Sequence, residues 1–290
     1  VAHVLWRARV RFDYVFTFEC DLTSFAVALL QTLTFSRRPR HVILQFIMRE
    51  KTASLASRVK YRFMRFCFKS VHRVICSSRS EADYYRSVFS WAATKTAFVP
   101  YHTHPSLLRK APTPESDYII AAGRSFRDYP TFLAAVADLP IRVIVVAGRG
   151  ALSGRVLPGN VELRSDIPPD ELNYLLENSR VVVLPLEDRK ISIGQSVLLQ
   201  AMSFGKPVVC TRTAGTEDYI RDKFDGLLVP PRDPTALRVA IETLLQQPEL
   251  RHRLGTNAIR AMYAHHLPQH YVLNVARSLN AAPATHTLGN

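Results

Sequence analysis

Residues 191–209 read ISIGQSVLLQAMSFGKPVV, and the order of these residues decides how the rest of the chain is taken. Gly194 stands directly ahead of a stretch with helical character, Gln195 to Phe204, which ends at Gly205, a natural position just past a helix C-terminus. Upstream lies a fully apolar run of the buried-strand type, Arg180 to Leu184, and downstream a further strand, Lys206 to Cys210. Strand, glycine loop, helix and strand make one unit of an open α/β sheet, where ligands bind beyond the carboxyl ends of strands. The first amides of this helix, near Gly194, Gln195 and Ser196, have no intrahelical partner and sit at the positive end of the helix dipole. Such a start suits a diphosphate.

The same alternation continues on both sides. Asp117 to Ala122, Arg142 to Ala147, Asn160 to Leu163 and Gly226 to Val229 read as strands. Tyr129 to Ala137, Pro169 to Asn178, Pro234 to Leu245 and Pro248 to His265 read as helices. Nearer the start, strands are expected at Phe12 to Phe18, His41 to Ile47, Arg73 to Cys76 and Thr96 to Val99. Helices are expected at Leu22 to Leu33, Ala53 to Ser70 and Glu81 to Phe89. Between the halves, three prolines (Pro105, Pro112 and Pro114) interrupt any period and suggest a linker. The expected organisation is residues 1–103, a linker at 104–116, a second domain at 117–265, and a C-terminal helix and tail at 266–290. Alternating strands and helices in both parts predict an α/β fold with parallel sheets.

The 290 residues are 47% hydrophobic and 21% charged, an ordinary globular composition. Charge is placed unevenly. Residues 1–110 hold 19 Lys and Arg against 6 Asp and Glu, and residues 111–290 hold 19 against 18. A basic half implies an anionic surface facing it, either nucleic acid or an anionic membrane. No Gly-rich aromatic RNA motif and no zinc spacing accompanies the charge, so nucleic acid is not expected. Arg58, Arg62, Arg65 and Lys69 recur every three or four residues and form one helical stripe beside Phe63, Phe66 and Phe68. That pattern fits an interfacial helix on anionic lipid, and equally a core helix with a solvated basic face.

Cys20, Cys67, Cys76 and Cys210 form no CxxC pair, which points to a reducing compartment and no metal site. Tyr14 to Phe35 contains Glu19 and Asp21 and is too polar for a membrane span. A cytoplasmic location, peripheral on the inner membrane face, is the expectation.

Further words complete the pattern. Leu198–Val209 runs into a Gly-Lys-Pro-Val-Val strand, Gly215–Ile220 follows, and Asp225–Pro230 with Asp233 closes the segment. Upstream stands Ala122-Gly123-Arg124-Ser125-Phe126-Arg127-Asp128. In this order the words resemble the donor domain of family 4 glycosyltransferases, the glycosyl transferases group 1, over roughly residues 71–265. The resemblance implies a GT-B fold of two Rossmann-like doubly wound domains, the N-terminal one incomplete and shortened by several elements. It also implies transfer of a sugar from a nucleotide-diphosphate sugar to a glycan or lipid-linked acceptor, as in polysaccharide biosynthesis. The expected chemistry is retaining and metal-independent, with the donor as a substrate and no cofactor. Arg124 takes the place of the family's phosphate-binding arginine, and Arg127 is the nearest substitute for its partner lysine. Gly123, Gly194, Gln195 and Ser196 would complete the diphosphate site, and Ile167 would sit by the base. Ser192 and Gln200 stand where the family has two glutamates, for the sugar and for the ribose. Arg124 and Ser192 are the expected catalytic residues. The family's acceptor-side histidine is not matched after Phe46, and His41 is read as structural. The altered pair leaves a second expectation open, a non-catalytic relative that binds a nucleotide sugar or a protein partner.

Overall fold

The computed structural model of the chain describes residues 11–92 and 94–280. It divides into two compact units. The first gathers residues up to Val99, the segment Lys190–Ser192 and the stretch from Val272; the second gathers Pro100–Arg189 and Ile193–Tyr271.

The first unit alternates β1 (Tyr14–Phe18), α1 (Leu22–Leu33), β2 (Arg40–Leu44), α2 (Leu55–Cys67), β3 (Arg73–Cys76), α3 (Arg79–Val88) and β4 (Thr96–Phe98). All three strand pairings are parallel, in the order β1-β2-β3-β4. Side-chain caps start its helices: Asp21 accepts from the Ser24 amide, Ser54 from Ser57 and Ser78 from Glu81. Ile43, Phe46, Met64, Phe68, Val74 and Tyr85 form its core. The order is sequential, without the reversal of a doubly wound sheet, so this unit has half of that design.

Helix α2 has three distinct faces. Tyr61, Met64 and Cys67 are buried; Leu55, Val59 and Phe63 are exposed at four-residue spacing; Arg58, Arg62 and Arg65 form a third, charged stripe that Lys69 extends. The helical stretch expected to Ser70 ends its α turns at Cys67 and tightens into a 3₁₀ turn at Phe68–Ser70.

The second unit runs β5 (Tyr118–Ala122), α4 (Tyr129–Val136), β6 (Arg142–Ala147), β7 (Val161–Ser165), α5 (Pro169–Asn178) and β8 (Val181–Leu184). It continues through α6 (Gln195–Ser203), β9 (Val208–Thr211), β10 (Leu227–Val229), α7 (Pro234–Gln246) and α8 (Pro248–His265). The sheet order is β10-β9-β8-β5-β6-β7, every pairing parallel. Strands β5, β8 and β9 are buried along their whole length, which is why they read as unbroken apolar runs. Helix α9 (Pro268–Asn280) follows, its first residues clustering with the second unit and those from Val272 with the first. The end of the expected tail, residues 281–290, lies outside the described residues.

Residues 104–116, read from the sequence as a linker, cluster with the second unit, which starts at Pro100, and are fastened to it. Arg109 pairs with Glu177 at 2.6 Å, Arg251 with Glu115 at 2.8 Å, and buried Lys206 donates to the Thr113 and Pro114 carbonyls at 3.0 and 2.7 Å. The three prolines deny this stretch a regular ladder, so its polar groups are met by side chains instead.

Candidate functional site

Winding reverses between β5 and β8, the point at which an open α/β sheet leaves a crevice beyond its strand ends. Two loops leave there, one after Ala122 and one after Leu184. They are tied together: Arg127 and Leu186 form an antiparallel bridge, the Asp128 amide donates to the Pro185 carbonyl at 2.9 Å, and the Glu187 amide to Phe126 at 3.1 Å.

The first loop turns on Gly123, whose φ is +139°. A Cβ there would lie 2.2 Å from the Arg127 guanidinium, so only glycine fits beneath it. Tyr129 Oη donates to the Gly123 carbonyl at 2.7 Å and holds the turn from the other side. Arg127, which the resemblance offered as a substitute for the family's partner lysine, is engaged within its own loop. Its Nε donates to the Ala122 carbonyl at 3.0 Å and a terminal nitrogen to Ser125 at 2.9 Å, and burial lowers its pKa. It is a strut that shapes the loop. Arg124 differs: it is exposed and makes no hydrogen bond or ion pair to any described residue. Its guanidinium is therefore open to an anion.

The second loop reaches α6 at Gly194, which takes φ +87° and caps the helix without a side chain. The first bond of this helix runs from the Leu198 amide to the Gly194 carbonyl at 3.0 Å, leaving the amides of Gln195, Ser196 and Val197 ahead of it. A Cβ on Gly194 would meet Leu186 at 3.1 Å. Ser196 is exposed. Two polar atoms on α6 are buried without a partner, Gln195 Nε2 and Gln200 Oε1. An unpaired buried amide group costs free energy unless a ligand or water meets it, so Gln195 Nε2 has room for an acceptor and Gln200 Oε1 for a donor.

Behind β9 a small network fixes the neighbouring loop. Thr216 is buried; its hydroxyl accepts from the Thr213 amide at 2.8 Å and donates to the Thr211 carbonyl at 2.9 Å. The Thr211 hydroxyl accepts from the Leu186 amide at 2.9 Å. Glu217 pairs with Arg212 at 3.0 Å. Ile167 lies half-buried just beyond β7, after Asp166 at a positive φ of 53°.

Ser192 is placed apart from these groups, clustering with the first unit. Only 2% of it is exposed, and its hydroxyl lies 2.9 Å from both Ser78 Oγ and Glu81 Oε2. His41 is structural, as expected: it is fully buried, its Nε2 is 2.9 Å from Thr17 Oγ1, and burial pushes its pKa down to about 4. Asp21 caps α1. Among the described residues no three His, Cys, Asp or Glu side chains are grouped as metal ligands, and no helix is long and apolar enough to cross a membrane.

Comparison with known proteins shows the family and the fold. The family described as "Glycosyl transferases group 1" matches residues 114–261. Among curated proteins, the chain is 27% identical over 163 residues to D-inositol 3-phosphate glycosyltransferase of Frankia alni, covering 54% of this chain and 35% of that one. It is 30% identical over 132 residues to D-rhamnosyltransferase WbpZ of Pseudomonas aeruginosa, covering 45% and 33%. These matches span about a third of each curated relative's length. Among solved structures, sucrose-phosphate synthase from Thermosynechococcus elongatus superposes with a TM-score of 0.74 at 20% identity, over 95% of this chain and 75% of that one. Anabaena HepE in complex with UDP gives 0.69 at 19%, over 96% and 81%. The profile match takes in the Gly123 turn, the Gly194 helix start and the Gly-Lys-Pro strand together, and on that ground the chain belongs to the glycosyl transferases group 1 family.

Proposed function

We propose that this chain is a glycosyltransferase that binds a nucleotide-diphosphate sugar at the Gly123 and Gly194 loops and passes the sugar to a glycan or lipid-linked acceptor. The observation that carries this reading is the start of α6, where the amides of Gln195, Ser196 and Val197 lie ahead of the first helical bond and Gln195 Nε2 and Gln200 Oε1 are buried without partners. Arg124 and the α6 amides would stabilise the charge that builds on the leaving diphosphate, a role that needs electrostatic preorganisation more than a protein base. Gln200 Oε1 suits a ribose hydroxyl. This assignment fits a retaining transfer assisted by the diphosphate itself, without a metal. Titration of UDP, GDP and ADP into the protein tests the donor site. Binding of one of them, lost in Arg124→Ala with folding intact, is the expected result.

The replacement of two glutamates by Ser192 and Gln200 favours a second reading, a relative that binds a nucleotide sugar without transferring it. Release or transfer of label from UDP-, GDP- and ADP-sugars separates the two.

An anionic membrane is the proposed surface for the first unit. A groove of about 780 Å³ is lined by Lys51, Arg58, Arg62, Arg65 and Lys69 with Phe66 and Trp91. None of these five cations has an acidic partner among the described residues. Charge beside exposed apolar side chains supports attachment to lipid head groups rather than a merely solvated face.

A further inference from the structure

Lys190–Ser192, the part of the loop just ahead of Gly194, packs with the first unit, and two carboxylates of that unit hold it. Glu50 Oε1 accepts from the Lys190 amide at 2.7 Å. Glu81 takes a larger share. Its Oε2 accepts from Ser192 Oγ at 2.9 Å and from the Ser77 amide at 3.1 Å. Its Oε1 lies 3.4 Å from both the Ser192 amide nitrogen and Tyr85 Oη. Ser78 Oγ, the cap of α3, stands 2.9 Å from Ser192 Oγ and accepts from the Glu81 amide at 3.1 Å. Glu81 and Ser78 are fully buried.

Ser78 and Glu81 have the spacing of a capping box, but the carboxylate accepts from the Ser77 amide, one residue ahead of the cap, and not from the Ser78 amide that such a box uses. A cap does not account for the grip on a residue 111 positions further along. Two of the groups around the carboxylate, the Ser77 and Ser192 amides, can only donate, and the hydroxyls Ser192 Oγ and Tyr85 Oη are placed to donate as well. An ionised carboxylate, an acceptor on both oxygens, meets all four. Burial opposes that charge and pushes Glu81 up to about 7, while these four hydrogen bonds pull it down. Tyr85 on the same helix and Cys76 on β3 are the titratable groups that face it.

We propose that Glu81 is a positioning residue for the donor: its carboxylate fixes Ser192, and through the next two residues it fixes Gly194 with the α6 amides set for a diphosphate. The inference rests on the donor-site reading above. It gives Ser192 a role other than touching the sugar. A carboxylate from α3 serves the loop position where a glutamate was expected in the loop itself.

The test uses the whole chain, UDP and GDP as probes, and the variants Glu81→Gln, Ser192→Ala and the double variant, each checked for folding by circular dichroism. Gln is nearly isosteric but sets an amide nitrogen against donors. Each single variant is expected to weaken nucleotide binding roughly tenfold, and the double variant no more than the worse single, because both break one link. Wild-type affinity should also fall, relative to Glu81→Gln, between about pH 8 and about pH 6, as Glu81 takes up its proton near 7. The nucleotide's own phosphate titrates nearby and cancels in that difference. Additive losses in the double variant, or pH curves that run parallel in wild type and Glu81→Gln, overturn the proposal even when the nucleotide binds. A wild-type chain that binds neither nucleotide, nor ADP, overturns the donor site and this inference with it.

Discussion

At the residue scale, Arg124 and Arg127 show how one word of sequence divides into two jobs. Both are cations in the loop after β5, and the family resemblance offers both as phosphate ligands. The backbone decides between them. Arg127 bends back over Gly123 to meet the carbonyls of Ala122 and Ser125, and Arg124 is left open. Arg124→Ala should therefore weaken nucleotide binding about ten- to a hundredfold with little change in melting temperature, as for loss of a charged hydrogen-bonding group. Arg127→Ala should do the reverse in part, lowering the melting temperature as well, because two carbonyls lose their donors. Calorimetric titration and thermal unfolding of the two variants check this. Glu81 gives a pH prediction with a defined sign. Its folded pKa is raised from 4.5 to about 7, so the folded chain holds a proton that the unfolded chain has released. The stability from this group is fully present below about 4.5 and is lost as pH rises through about 7. Urea unfolding should show wild type losing stability against Glu81→Gln across that window and running parallel above it. His41 has the opposite sign: lowered from 6.5 to about 4, it favours folding above 6.5 and loses that contribution as pH falls through 4.

At the element scale, the start of α6 and the faces of α2 carry the account. Helix α6 begins on a glycine at positive φ with Leu186 pressed against it. Gly194→Ala should cost about 1–3 kcal/mol of stability through that strained conformation and should abolish nucleotide binding, measured by urea unfolding and by titration. Most elements were legible because parallel strands buried on both faces are unbroken apolar runs and because caps and prolines mark helix starts. Leu22–Leu33, Arg73–Cys76, Arg142–Ala147, Pro169–Asn178 and Pro248–His265 have the bounds that these signals gave. The bonds that fasten residues 104–116 were not legible, since they come from distant side chains such as Glu177, Lys206 and Arg251 rather than from any local period. For α2 the wheel showed a basic stripe, and the structure adds the exposed Leu55, Val59 and Phe63 beside it. Arg58→Gln, Arg62→Gln and Arg65→Gln together should reduce binding to vesicles of anionic lipid by at least tenfold, with each charge near the surface worth about 1 kcal/mol. Unchanged sedimentation with the vesicles would contradict the membrane assignment.

At the scale of the whole molecule, charge and topology separate the two units. The basic first unit has a sequential four-stranded sheet, and the nearly neutral second unit has the six-stranded reversed order that places a ligand crevice. The loops of the proposed donor site were legible in outline because Gly123 and Gly194 follow strand ends that the apolar pattern marks. The setting of Ser192 was not, since its partners Ser78 and Glu81 are more than a hundred residues away and no local signal joins them. The central claim is that the Gly123 and Gly194 loops bind a nucleoside diphosphate. Calorimetric titration of UDP, GDP and ADP into wild type and Arg124→Ala measures it most directly. The account predicts saturable one-to-one binding of at least one nucleotide to wild type, lost or greatly weakened in Arg124→Ala. Binding of equal strength in the two proteins, or no binding of any of the three to folded wild type, would contradict it.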